Sequence, residues 1–355
     1  MPLLARMVAS PIAIDVRRGA ISSLGTVLAD RRIANEGRIA VAVGPGQGPQ
    51  IAADLDLPQC EVFRVDGGSV DVATELGKKL RAGAYEAVAG IGGGKTIDVT
   101  KYAASMAGIP MVAVATNLSH DGIASPVSSL EHESGKGSYG VTMPTAVVVD
   151  VDYVRAAPQR LLRSGIGDVV SNISAIDDWE LAGREQGEPV DGMAVTFARV
   201  AAEAVLHRRD SVDSQDFLTA LAEALVLSGL AMSVAGSSRP ASGACHEVLH
   251  AITHLYPGVS NHGELAGIGA LYAYFLRMRY QGEGESRMRD IRDCLLRHGL
   301  PVVPSDVGLD EDQFVRAVSY APETRPGRYT ILEHLSLSDD DIRQSVGEYV
   351  KTVGH

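Results

Sequence analysis

An apolar run, Ala87 to Ile91, enters three consecutive glycines, Gly92-Gly93-Gly94, and a helical pattern from Thr96 to Met106 follows at once. No other stretch constrains the fold as much. Strand, glycine turn and helix in that order aim backbone N–H groups and a helix N-terminus at one point, a geometry that receives a phosphate. Glycine is needed there because a Cβ would hold the phosphate away from the backbone. The spacing is neither the G-x-G-x-x-G dinucleotide fingerprint nor a P-loop. A tight strand–helix turn with no ligand therefore stays open beside the phosphate cradle.

The flanking sequence repeats the same rhythm. Short apolar strands are expected at Ile12–Val16, Ile39–Val43, Val62–Val65, 87–91 and Met111–Ala115, with helices between them, including Val70–Leu80 capped by Ser69. This alternation predicts a doubly wound, Rossmann-like α/β domain with a parallel sheet, whose ligands sit at the carboxyl ends of the strands. Gly137–Val141 and Ala146–Val149, joined through Met143-Pro144, read as a pair of strands. After Asp150 alanine-rich helical patterns take over, at 191–207, 214–234, 244–255, 264–280, 286–298 and 339–351. Two domains are expected: an α/β nucleotide-binding domain over 1–155 and an all-helical domain over 156–355. A net charge of −12 spread along the chain argues against nucleic acid or an anionic membrane as partner. Three widely spaced cysteines, Cys60, Cys245 and Cys294, form no disulfide framework. With no charge-free apolar segment long enough to span a membrane and no leader pattern, a cytoplasmic protein is expected.

Three constellations carry chemistry. The first is Thr116-Asn117-Leu118-Ser119-His120-Asp121-Gly122-Ile123-Ala124-Ser125-Pro126, a polar loop after an apolar strand, where such sheets handle ligands. A capped turn held by Asp121 is the plainer alternative. The second is Gly165-Ile166-Gly167-Asp168, read as a double-glycine turn that places Asp168 at the start of an apolar helix, where the helix dipole alone would also favour a carboxylate. The third is the helix holding His246, His250 and His254 at i, i+4 and i+8, followed by His262-Gly263-Glu264. Histidines gather in this way chiefly to bind a metal or to move protons. His246-Glu247-Val248-Leu249-His250 is also a literal H-E-x-x-H, so a zinc hydrolase with His262 or Glu264 as third ligand is a competing reading. That reading leaves the α/β half without a purpose.

Together these residues resemble the iron-containing alcohol dehydrogenase and dehydroquinate synthase superfamily, and within it the sn-glycerol-1-phosphate dehydrogenase family. The resemblance is carried by 92–98 with Lys101, by 119–126, by 165–168, by Ser238-Arg239-Pro240-Ala241-Ser242-Gly243 running into His246, by 262–264 and by Arg328-Tyr329-Thr330-Ile331-Leu332. It implies Asp168, His246 and His262 as metal ligands, usually for zinc, although iron or nickel suits the same donors. It implies Gly92, Gly93, Gly94, Lys95, Asp98, Thr116, Ser119 and Ser125 at a nicotinamide cofactor, and Asp121, His250 and Lys136 beside the substrate. Asp121 and His250 would relay the proton.

Arg239 is a candidate for a substrate phosphate, with a loop salt bridge as the equal alternative. The implied activity is NAD(P)-linked interconversion of a small phosphorylated ketone, such as dihydroxyacetone phosphate, and its alcohol. A sugar-phosphate cyclase of the dehydroquinate synthase kind is the alternative. The turn Gly44-Pro45-Gly46-Gln47-Gly48 offers neither an acidic residue for a ribose hydroxyl nor an arginine for a 2′-phosphate, so NAD(H) and NADP(H) both stay open. The expected partner is a small molecule, with a homo-oligomer left open. Cys245 stands where the family usually has glutamate, and a thiolate ligand from it is a further, awkward alternative.

Overall fold

The computed structural model describes residues 8–55, 60–132 and 135–354. Its first half is built on eight strands: β1 (Ala13–Arg17), β2 (Ile39–Val43), β3 (Cys60–Arg64), β4 (Ala87–Gly92), β5 (Met111–Ala115), β6 (Val127–His132), β7 (Gly135–Gly140) and β8 (Ala146–Asp150). Between them lie α1 (Leu24–Leu28), α2 (Gly48–Asp54), α3 (Val70–Ala82) and α4 (Gly94–Ala107). Six strands form one parallel sheet in the order β1-β8-β5-β4-β2-β3.

The strand sequences explain the sheet. β4, β5 and β8 are buried along their whole length, as strands covered on both faces must be. Alternate residues serve the two layers. Ala40, Ala42, Val88, Ala113, Val147 and Val149 join the main core with α3, α4 and the helical half. Val41, Val43, Ala89, Ile91, Val112, Val114 and Val148 face the smaller core under α1 and α2. Each fully enclosed Val or Ile contributes about 1.5–3 kcal/mol. The chain leaves β2 outward to β3, but leaves β4 in the opposite direction to β5. The crevice between the ends of β2 and β4 is thus the switch point where ligands bind in such sheets. A Cβ on Gly44, just after β2, would lie 2.2 Å from Oγ1 of Thr96, so the two turns meet there with no space to spare.

Two expectations need correction. Residues 137–141 do not pair with 146–149. β7 instead pairs antiparallel with β6, a strand absent from the sequence reading, and β8 enters the main sheet between β1 and β5. Ala-Val-Val-Val is apolar on both faces and suits only a central strand, whereas the exposed Gly-Lys-Gly-Ser-Tyr-Gly of β7 suits a hairpin outside the core. The double glycine before Asp168 is also no turn. It lies inside a helix of 28 residues, α6 (Gln159–Gln186), which follows the short α5 (Val151–Arg155).

The helical half continues with α7 (Gly192–Leu206), α8 (Gln215–Ala235), α9 (Ala244–Leu255), α10 (His262–Gln281), α11 (Glu285–Arg297), α12 (Glu311–Tyr320), α13 (Ile331–Leu335) and α14 (Asp339–Val353). α8, interrupted by Asp216 and Glu223, is long and apolar enough to cross a membrane by length and composition alone, with a mean hydropathy of 1.8. Two-thirds of that stretch is buried in the protein, with Phe217, Leu218, Leu221 and Leu225 fully enclosed, so it is a core helix. α10 packs against both α6 and α9, and this three-helix contact positions the site.

Candidate metal and cofactor site

Asp168 reaches its place because α6 carries glycine one residue and three residues before it. A Cβ on Gly165 would lie 2.0 Å from the carbonyl oxygen of Leu118, and one on Gly167 would lie 2.2 Å from that of Gly263. Gly263 answers from α10, where a Cβ would fall 1.6 Å from the Ser164 carbonyl oxygen. Backbone therefore meets backbone where α6, the start of α10 and the loop after β5 converge. Ser164 joins all three: its hydroxyl donates to the Ser119 carbonyl (2.9 Å) and accepts from the Gly263 N–H (3.0 Å). Asn261 caps α10 in a capping box with Glu264, whose carboxylate is also held by Arg160 at 2.8 Å.

These contacts bring Asp168, His246 and His262 together, with one donor atom from each within 4.8 Å of the others. The Nε2 atoms of His246 and His262 stand 3.6 and 3.4 Å from Oδ1 of Asp168. Those separations are at or beyond the limit of a direct hydrogen bond. Two imidazole nitrogens and a carboxylate converging this way fit a metal ion, and three protein ligands leave a position free for a reactant, as catalytic zinc sites do. Oδ2 of Asp168 accepts the Asp121 N–H at 2.9 Å, which ties the donor group to the α/β half. Burial alone raises the Asp168 carboxyl, yet the two facing imidazoles hold it well below the usual carboxylate range. Burial pushes His262 down to about 4.

The other residues of the histidine helix divide cleanly. Cys245 lies behind His246, with Sγ 3.2 Å from Nδ1 and 3.8 Å from the Ser171 carbonyl oxygen. It orients the imidazole and lies outside the donor group, which removes the thiolate-ligand alternative. Glu247 turns away to Thr330, whose hydroxyl donates to it at 2.9 Å, and burial with the Glu333 and Asp178 charges pushes its carboxyl up to about 9. His254 stacks on Tyr320, 5.3 Å between ring centres. The hydrolase reading therefore fails on geometry: His250 is not in the donor group, Glu247 faces elsewhere, and Glu264 is committed to a cap and to Arg160.

A cavity of about 780 Å³ opens onto the donor group, lined by Asp98, His120, Asp121 and Ser125 from the first half and His246, His250 and His262 from the second. Gly93 caps α4 without any side-chain hydrogen bond, so the first N–H groups of that helix are left for a ligand. A Cβ on Gly93 would lie 2.3 Å from Nδ2 of Asn117, and one on Gly94 2.0 Å from Nε2 of His120. Asn117 Oδ1 is buried without a hydrogen-bond partner, an orphan that a bound cofactor would resolve. Gly92 crowds Thr96 in the same manner. Thr116 and Ser125 are buried, and Lys101 pairs with Asp98 at 3.1 Å while donating to the Ser125 carbonyl at 3.3 Å. The glycine crevice and its neighbours fit a dinucleotide. Lys95 stands apart, exposed and paired with Glu131 at 3.1 Å.

Asp121 is half-buried, and desolvation and the Asp168 charge push it up to about 7. Ser228 donates to its Oδ2 at 2.9 Å and is itself fixed by the Asn172 amide at 3.0 Å. Ser228 is absent from the sequence reading, and its only signal is a hydroxyl inside an apolar helix. Burial and the Arg325 charge hold His250 well below the usual imidazole range. Lys136 is exposed on β7, near enough for its charge to lower both His120 and His250. Arg239 lies outside the cavity: its Nε donates to Glu188 at 2.7 Å and its Nη1 to the Tyr329 carbonyl at 3.0 Å. Of the two readings left open for it, the structure displays the salt bridge. Arg325, which no sequence motif marks, lines the cavity in its stead.

The family model of iron-containing alcohol dehydrogenases matches residues 15–158. A glycerol-1-phosphate dehydrogenase (NAD(P)+) of Hyperthermus butylicus is 36% identical over 335 residues, 92% of this chain and 94% of that relative. The protein of the same name from Methanothermobacter thermautotrophicus is 35% identical, covering 92% and 93%. Among solved structures, a probable glycerol dehydrogenase from Sinorhizobium meliloti superposes with a TM-score of 0.79 at 21% identity, over 98% of this chain and 99% of that one. Sulfoacetaldehyde reductase from Bifidobacterium kashiwanohense, solved in complex with NAD+, gives 0.75 at 18%, over 98% and 100%. These last two likenesses concern the fold.

Proposed function

The chain belongs to the glycerol-1-phosphate dehydrogenase family of the iron-containing alcohol dehydrogenase superfamily, and from that premise we propose that it interconverts dihydroxyacetone phosphate and sn-glycerol 1-phosphate with NAD(H) or NADP(H). The observation that carries the reading is the convergence of Asp168, His246 and His262 on a cavity shared with the glycine crevice.

Asp168, His246 and His262 hold a divalent metal, zinc first by its ligand types. When bound, the metal supplies Lewis acidity to a carbonyl and the nicotinamide supplies the hydride. The chain's own residues do the rest. Backbone N–H groups at Gly92, Gly93 and Gly94 hold the cofactor pyrophosphate. Asp98, Thr116, Ser119 and Ser125 line the remainder of its groove, with Lys95 at the rim. Asp121, steadied by Ser228, and His250 hold the proton exchanged at the alcohol oxygen. Lys136 attracts the substrate's negative charge. Arg239 is left out of this set because its charge is already paired.

The test is NAD(P)H absorbance with the zinc-loaded protein, dihydroxyacetone phosphate and both cofactors in turn, followed by stereochemical assignment of the product. Net NAD(P)H consumption is expected. Phosphate release with no net change in absorbance would transfer the protein to the cyclase class. Asp121→Asn should keep metal and cofactor but slow turnover at least about 100-fold, as loss of an acid–base group does. Unchanged turnover would remove Asp121 from the proton path.

A further inference from the structure

A cation is one of the strongest anchors for a substrate phosphate, and the sequence motifs do not supply one inside the cavity. Among the described residues lining that space, Arg325 is the sole lysine or arginine. It follows the short 3-10 turn Ala321–Thr324 at the end of α12. Its Nη2 donates to Nε2 of His250 at 2.9 Å and to Oγ of Ser138, on β7, at 3.1 Å. Neither partner is a carboxylate, and the Nε of Arg325 is buried with no hydrogen-bond partner. The neighbouring arginines are committed elsewhere: Arg239 to Glu188, and Arg328 to the Ser242 carbonyl and the Ser238 hydroxyl. A half-buried guanidinium with no carboxylate partner and an idle donor carries charge that an anion would satisfy.

Its position suits that task. The His250 ring lies 6.2 Å from the His246 ring and 2.9 Å, through Nε2, from Arg325. Guanidinium and metal-donor group therefore face one cavity with a single imidazole between them. A three-carbon ketone can span that interval with its carbonyl toward the donors and its phosphate toward Arg325. The geometry points to Arg325 as the phosphate anchor of the substrate, the residue that separates phosphorylated from unphosphorylated ketones. This inference rests on the dehydrogenase reading given above.

The test uses the zinc-loaded full chain and compares kcat/KM for dihydroxyacetone phosphate with that for dihydroxyacetone. Two charge-assisted hydrogen bonds to a phosphate make the expected fall in this ratio about 30-fold or more in Arg325→Met. Arg325→Lys keeps the charge but loses the fork, so the ratio should fall by an intermediate factor, and this variant serves if Arg325→Met does not fold. A fall that is equal for both ketones would overturn the inference, because Arg325 would then act only by positioning His250. Binding of inorganic phosphate, followed by 31P line broadening at saturating NAD+, keeps the two readings distinguishable. If the wild type consumes no phosphorylated ketone, the dehydrogenase reading fails. Phosphate bound by wild type, weakened in Arg325→Lys and lost in Arg325→Met would still support Arg325 as an anion anchor, and phosphate binding unchanged by either substitution would refute it.

Discussion

Gly263→Ala tests the helix crossing on which the donor group depends. The new methyl would sit 1.6 Å from the Ser164 carbonyl oxygen, 2.5 Å from its carbon and 2.9 Å from the Asp168 amide nitrogen. All three are backbone atoms of α6, so no side chain can swing aside. Ordinary contact needs close to 3.5 Å, and the start of α10 must retreat by about 2 Å to reach it. Overpacking of this kind costs about 1–3 kcal/mol. The retreat also stretches the Gly263 N–H bond to Ser164, worth about 1 kcal/mol. The expected loss is about 3 kcal/mol, a fall in Tm of about 4 °C for a chain of this length.

The same movement carries His262 away from Asp168, from which it now stands 3.4 Å. Zinc affinity should therefore drop by at least about 10-fold, the scale seen when support around a metal ligand is lost. Denaturant unfolding of the apoprotein and a competitive zinc titration measure the two effects separately. Gly46→Ala is the control, since a Cβ there meets nothing within 4 Å. A Gly263→Ala protein matching that control in both assays would refute the crossing as the determinant of the site.

Asp168→Asn and His262→Ala should each remove bound metal and turnover together, read by elemental analysis beside the absorbance assay; full activity in a metal-free variant would exclude the metal. Gly93→Val should raise the Kd for NAD(P)H, followed by nicotinamide fluorescence, with metal content unchanged, because its side chain fills the space against Asn117. Asp178→Ala should cost about 3–5 kcal/mol in denaturant unfolding, since it strands Arg277 and frees the Ala244 and Ile331 N–H groups that now donate to it at 2.7 and 2.9 Å. His298 is held below the usual imidazole range by burial, so the unfolded chain takes up its proton first as pH falls. Its contribution is present above about pH 6.5 and declines as the pH falls toward the lowered value, so His298→Gln should destabilise the protein more at pH 7.5 than at pH 5.5.

The sequence displayed most of this site because its chemistry is local. Glycines before α4, the hydroxyls of 116–125 and the i, i+4 histidines of α9 each follow from a few neighbouring residues. What stayed hidden depends on partners far along the chain. Gly165 and Gly167 look like a turn by composition, and only the approach of Leu118 and Gly263 shows them to be a helix made thin enough for close packing. β8 was readable as a central strand from its unbroken apolar run, but its nearness to β7 suggested a hairpin that the sheet order rejects. Arg325 carries no motif at all. Its meaning arises where the fold sets residue 325 between residues 138 and 250.

The donor group also imposes a timetable on biosynthesis. Asp121 and Asp168 leave the ribosome early, His246 later and His262 last, and the N–H of Asp121 must already have found Asp168 for the carboxylate to be oriented. A chain halted anywhere before α10 lacks one of the three donors and the glycine that seats it. Under the proposed metal role, only a chain that has been made through the start of α10 could present the complete donor set.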